Sequence, residues 1–464
     1  MDAVDGTSTP SGRFGWFGVV RLGAVQMALG AIVILTTSTL NRVMVVELAL
    51  PAFLPGLLVG WHYAVQLSRP RWGYGADMGG ARTPWIVGGM AALGLGAVCA
   101  AGATALTASS VAAGIAAGFA AFFVIGVGVG AAGTNLLALL AILTPPARKA
   151  AAAAITWIMM ILGFVITAGV AGALLDPFSM GRLVGVTAGV STVAVALAAL
   201  ALWGLEAKSR GPRDEIGARE KPTTTAAAAQ HRSSAFRTVI AEIWGETQAR
   251  RFTVFIFVSM LAYSAQDLIL EPFAGLVYGY TPGESTSLAG VQNGGVLLGM
   301  IATAIIGTVI GKSRGSFMRR WTVGGCIASA FALAGLAAAA SVGPSWPLKP
   351  SVFALGLANG AFAVAAIGSM MTLASAGAPA REGTRMGLWG ASQAIAFGLG
   401  GFLGAAAIDI ARATLGEVQI AFCVVFAAQA VAFVVAAWLA ARVGATRADG
   451  MTLPAMPAEA LPAE

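Results

Sequence analysis

Apolar residues run along this chain in long blocks, separated by short polar stretches rich in Arg, Gly and Pro. A helix needs about 20 consecutive apolar residues to cross a bilayer. Twelve blocks meet that length, near 20–40, 51–67, 85–106, 112–142, 150–174, 183–204, 252–271, 285–310, 322–341, 351–373, 386–408 and 418–441. The pattern predicts an all-α membrane protein with twelve transmembrane helices. It divides into a tail (1–18), a six-helix bundle (19–204), a polar linker (205–251), a second bundle (252–441) and a final tail (442–464). The end of the linker, "AFRTVIAEIWGETQARR", has apolar positions at helical spacing and predicts a helix lying on the membrane surface.

The two bundles echo each other. "NRVMVVE" (41–47) closes the first span and "QDLILE" (266–271) closes the seventh. "RTPWIVGG" opens the third and "RRWTVGG" the ninth; "PAR" follows both the fourth and the tenth. The matches keep one order at similar offsets, as expected of two six-helix repeats related by an axis along the membrane normal.

Composition agrees with a membrane protein: 58% of residues are hydrophobic and only 10% are charged, against about 25% charged in soluble domains. The net charge of +8 does not imply nucleic acid, because the cations sit in the segments between spans. With both termini placed in the cytoplasm, 24 of the 28 Lys and Arg fall on that side, as the positive-inside bias requires.

The spans hold few groups able to do chemistry. Asp267 lies about 24 Å and Glu271 about 30 Å above the start of span seven, at 1.5 Å per residue. That puts Glu271 at the outer interface, with Pro272 ending the helix. A charged Asp at a helix centre costs roughly 2.5–3.5 kcal/mol, so Asp267 needs a partner, a proton or water. Arg42 occupies the matching place on span one, and we expect the two to pair across the halves, with Asn41 and Gln266 adding hydrogen bonds. The alternatives are that each residue caps its own helix end, or that Asp267 relays protons. His62 lies about 17 Å deep in span two. It is either a hydrogen-bonded packing residue or a ligand for a metal such as the magnesium of a pigment macrocycle. Asn135, Gln292, Asn293 and Asn359 are further polar candidates, which otherwise bridge helices. Gly-rich runs on spans four and eleven (Gly126, Gly128, Gly400 and neighbours) either form a flat groove or let helices pack closely. No nucleophile–base pair or phosphate loop supports an enzyme.

The loop "GYGADMGGAR" (73–82) resembles the G-x-x-x-D-x-x-G-R loop of the major facilitator superfamily, with Asp77 in place; Ala81 stands where Arg is expected, and Arg82 follows one residue late. "TSTLNRVMVVELALP" (37–51) and "FVSMLAYSAQDLILEPFAGLVYGYTPGESTSLAGVQNGGVLLGM" (257–300) are similar to the PucC/LhaA family, the bacteriochlorophyll-delivery branch of that superfamily. The resemblance covers all twelve spans. It carries the family's hallmark residues onto Asn41, Arg42, Glu47, Gln266, Asp267, Glu271, Pro272 and Gln292. It implies a multi-pass protein of the bacterial inner (intracytoplasmic) membrane that assembles light-harvesting complexes. The implied cargo is bacteriochlorophyll or its precursor; the implied partners are bacteriochlorophyll synthase, antenna polypeptides and membrane lipid. The competing reading is a proton-coupled carrier of a small solute using Asp267.

Overall fold

The computed structural model describes residues 15–69, 72, 76, 81–145, 148–206, 244–310, 314–375 and 382–443. Asp77 and residues 1–14, 207–243 and 444–464 lie outside these residues; of the expected surface helix (235–251), residues 247–251 instead begin the seventh span. Twelve helical spans follow in order. The first half holds α1 (Trp16–Glu47), α2 (Phe53–Gln66), α3 (Thr83–Thr107), α4 (Val111–Leu143), α5 (Lys149–Leu175) and α6 (Met180–Leu202). The second holds α7 (Thr247–Tyr278), α8 (Pro282–Ile310), α9 (Arg314–Val342), α10 (Leu348–Ser375), α11 (Glu382–Leu415) and α12 (Val418–Arg442). Eleven are long and apolar enough to cross a membrane. The exception is α2, with 14 residues.

The two central helices are irregular at equivalent places. Wide π turns interrupt α1 at Leu35–Thr39 and Val43–Glu47. The Thr36 and Thr37 hydroxyls both donate to the Val33 carbonyl, at 2.9 Å, and such back-bonding loosens the regular ladder. α7 stops at Asp267, turns through Leu268–Ile269 and restarts at Leu270. Pro272 therefore does not end the helix as expected. It sits in the first turn of the restarted segment, where its missing N–H leaves no bond unmade. That segment closes at Gly279, whose φ of 70° is left-handed and suits glycine.

Packing repeats from half to half. α1 lies on α5 and α6 as α7 lies on α11 and α12; α3 lies on α4 and α6 as α9 lies on α10 and α12; α2 lies on α4 as α8 lies on α10. One large apolar core is built almost wholly from Val19–Leu205 and the other from Phe252–Ala440. Between the halves run two long seams, α5 on α8 and α2 on α11, which exchange under a shift of six helices. This is the pseudo-two-fold arrangement that the sequence echoes predict. Small residues set the spacing: a Cβ on Gly56 of α2 would stand 2.9 Å from the Ala405 Cβ of α11, and one on Gly172 of α5 would stand 2.8 Å from the Gly283 carbonyl of α8. The Gly126, Gly128 and Gly400 positions are filled in the same way, by His62 and Val65, by Leu93 and by Leu261. These glycines serve close helix packing.

Candidate functional site

The wide turn at Val43–Glu47 decides which acid Arg42 meets. In an i→i+5 turn, a residue five positions on comes round beneath its predecessor. Arg42 accordingly forms an ion pair with Glu47, not with Asp267. The expected Arg42–Asp267 pair is therefore corrected: the π turn and the break in α7 replace the even helices that the expectation assumed. The guanidinium is 1% exposed, and its second nitrogen donates to the Tyr280 carbonyl of the other half, at 2.5 Å. Glu47 keeps a third of its side chain exposed.

Glu271, expected at the interface, is instead 2% exposed. The restarted segment of α7 carries it inward, where Ser38 of α1 donates to its carboxylate and Arg42 lies within electrostatic reach. Two more bonds cross at this end: Asn41 Nδ2 to the Leu268 carbonyl (2.5 Å) and Thr39 to Thr286 (3.1 Å between hydroxyls). Asn41, Arg42, Glu47 and Glu271 thus come together in one junction between α1, α7 and α8. An open cleft of about 730 Å³ leads to it, lined by Arg42, Glu47, Asp176, Phe178 and Tyr280 among others. Gln266 is fully buried, and neither amide atom has a hydrogen-bond partner among the described residues.

Asp267 lies apart from this junction. Half-buried, it has no ion pair among the described residues, and it lies within electrostatic reach of the phenols of Tyr63 (α2) and Tyr263 (α7). Each of those rings stands 5.9 Å from Phe397 of α11. This aromatic trio lies where α2, α7 and α11 converge.

The other polar candidates are absorbed by packing. The imidazole of His62 is 2% exposed, lies edge-on to Tyr63 at 4.8 Å between centroids, and has Nε2 2.6 Å from Gln66. Nε2 is taken up by Gln66 and Nδ1, though without a partner among the described residues, is buried, so neither ring nitrogen reaches a pigment metal in this arrangement. Asn135 and Asn359 are enclosed between helices. Both are fully buried: Asn135 accepts from Arg82 (3.3 Å) and donates to Ala131, and Asn359 accepts from Ser329 (2.9 Å). Asn293 donates to Ala289 within α8, and Gln292 is buried beside it.

Three acids escape the sequence reading. Asp409 of α11 accepts from the first N–H groups of α2, Ala52 (3.0 Å) and Phe53 (2.7 Å). Asp176, just past α5, accepts from Thr281 (2.8 Å) at the start of α8. Glu206, past α6, accepts from the backbone N–H of Arg82 (2.8 Å) and Thr83 (2.9 Å) at the start of α3. Carboxylates are favoured there because a helix start exposes unpaired N–H groups and positive dipole. A usable signal exists for two of them: Asp176 and Asp409 are 233 residues apart, the spacing of the two "PAR" triplets. Replacing Glu206 by Ala should lower stability by about 0.5–2 kcal/mol, the ordinary value of a helix cap, read as a lower melting temperature in detergent; an unchanged melt would deny the carboxylate that role.

Two six-helix halves, joined along α5–α8 and α2–α11, define a multi-pass membrane protein of the major facilitator fold. Among solved structures, that of a D-xylose–proton symporter superposes with a TM-score of 0.69 at 13% identity, over 92% of this chain and 97% of that one; such identity speaks for the fold alone. Residues 39–448 match the family model described as PUCC protein. The chain is 49% identical over 435 residues to the "Bacteriochlorophyll synthase 44.5 kDa chain" of Rhodobacter capsulatus, spanning 93% of this chain and 96% of that relative. It is 29% identical to "Protein PucC" of the same organism, over 82% of this chain and 81% of that protein. The chain belongs to the PucC family.

Proposed function

We propose that this protein is an assembly factor for photosynthetic complexes in the bacterial inner membrane, one that binds or delivers bacteriochlorophyll or a precursor, or escorts antenna subunits. The observation that carries the reading is kinship along nearly the whole chain with a protein named as a chain of bacteriochlorophyll synthase. The geometry is compatible with it. A tetrapyrrole is broad, flat and apolar, and it is held best by aromatic faces and small-residue surfaces. Tyr63, Tyr263 and Phe397 offer such faces between the halves. With His62 enclosed, recognition of the ring rests on these faces and not on ligation of its metal by that imidazole. The role is non-catalytic, with bacteriochlorophyll synthase and antenna polypeptides as partners. Both termini face the cytoplasm, which turns the Arg42 end outward.

Purification in mild detergent tests this, followed by an absorption spectrum and identification of bound proteins. We expect co-purified pigment, synthase or antenna subunits, and loss of antenna absorption when the gene is deleted. A colourless, solitary protein and a deletion strain with normal antenna would overturn the reading. The half-buried, unpaired Asp267 keeps a second reading in view, a proton-coupled carrier of a small solute. It predicts gradient-driven uptake into vesicles that Asp267→Asn abolishes.

A further inference from the structure

The two seams between the halves carry matching joints. At the first, Gly172 of α5 packs against Ser287 of α8, and Asp176, four residues on, holds Thr281 at the start of α8. At the second, Ala405 of α11 packs against Gly56 of α2, and Asp409, again four residues on, holds the Ala52 and Phe53 N–H groups at the start of α2. The pairs Gly172/Ala405 and Asp176/Asp409 share the spacing of 233 residues. Each acid therefore belongs to one half and grips the first turn of a helix in the other. Both lie at the end where Ser38, Asn41 and Arg42 also bond across the halves.

We infer that Asp176 and Asp409 are a matched pair of latches, and that the Arg42 end opens only when both let go. The physical reason is the axis. Halves related by a two-fold along the membrane normal move against each other as rigid bodies, and a rigid body pinned at two points on opposite sides of its axis cannot swing on one. Removing a single acid leaves the other joint in place. Removing both leaves, among the hydrogen bonds of the described residues at this end, those made by α1. This device goes beyond the proposed function, since it concerns how the halves part and not what they carry.

Cysteine accessibility reads it directly. Each joint has a buried apolar cluster beside it: Ala168 and Ala171 with Leu35 at the first, Val45 and Ala52 with Ala405 at the second. In full-length protein with Cys99, Cys326 and Cys423 replaced, Ala171→Cys and Val45→Cys serve as probes for a membrane-impermeant maleimide. We expect Asp176→Asn or Asp409→Asn alone to raise labelling no more than about twofold, and the two together to raise it tenfold or more at both probes. A single variant that opens both probes fully, or a double variant that opens neither, overturns the inference. A covalent lock removes dependence on the acid variants' folding. A disulfide between Gly60→Cys and Phe402→Cys on the α2–α11 seam, whose Cβ atoms would stand 3.9 Å apart, within the disulfide range, should suppress labelling of Ala171→Cys at the opposite seam, with reductant restoring it. Labelling that ignores the lock would mean that the joints part independently.

Discussion

Arg42→Gln is expected to destabilise the folded protein by about 3–5 kcal/mol, the usual cost of removing one partner from a buried ion pair. The guanidinium serves several groups at once: the Glu47 carboxylate, the Tyr280 carbonyl and, through its field, Glu271. Without it, the partly buried Glu47 loses its ion pair and the buried Glu271 loses the cation within its reach. Glu47→Gln should cost much less, because Glu47 is partly exposed and Arg42 keeps its other contacts. Glu47→Gln added to Arg42→Gln should recover part of the loss. Asp267→Asn should be nearly silent in stability, and exchanging the charges of Arg42 and Asp267 should rescue nothing. Denaturation of purified protein in one detergent measures all five variants. If the Arg42–Asp267 exchange restored stability, the assignment of Glu47 would be wrong.

The second large effect falls on neighbouring glycines of α8. A Cβ on Gly295 would run into the Phe353 carbonyl of α10, and one on Gly299 into that of Leu357; a Cβ on Gly356 or Gly360 of α10 would strike the Gln292 or Val296 carbonyl in return. These obstacles are backbone atoms, which cannot rotate away. Both helices present glycine at i and i+4, so the two backbones rest directly on each other. Gly295→Ala should therefore cost about 1–3 kcal/mol or more, as overpacking does, and should lower the yield of monodisperse protein. Gly294, one residue earlier, has nothing within 4 Å of its would-be Cβ, and Gly294→Ala should leave yield and melting unchanged. Equal effects at the two positions would refute the direct contact between these helices.

Much of this architecture was readable in the residues because lipid imposes a length rule. The blocks at 112–142 and 418–441 fall within a residue of α4 and α12. The echo between "NRVMVVE" and "QDLILE" pointed to the right segments, since Asn41, Arg42, Glu47 and Glu271 do gather. It named the wrong acid for Arg42, because pairing residues across repeats presumes even helices, and periodicity gives no sign of where a π turn or a break will come. Asp176, Asp409 and Glu206 went unnoticed for another reason. Their partners are mostly backbone N–H groups, which every residue but proline has and which leave no mark in a sequence. The amides Asn135 and Asn359 could be read either as site candidates or as bridges between helices, because polarity alone does not tell a lining from an internal brace.

The wide turns of α1 have one more consequence. Each i→i+5 turn takes in roughly one residue more than an α turn, so it works as a phase shifter in the rod. Below Leu35 the rod shows α5 its apolar stripe; past the first wide turn it brings Ser38, Thr39, Asn41 and Arg42 to face the opposite half. Deleting one residue between 35 and 39 would re-phase everything beyond it, swinging Asn41 and Arg42 about 100° from their acceptors while Trp16–Ile34 stayed seated. Spacing along this rod, as much as side-chain identity, is what brings the two halves into register.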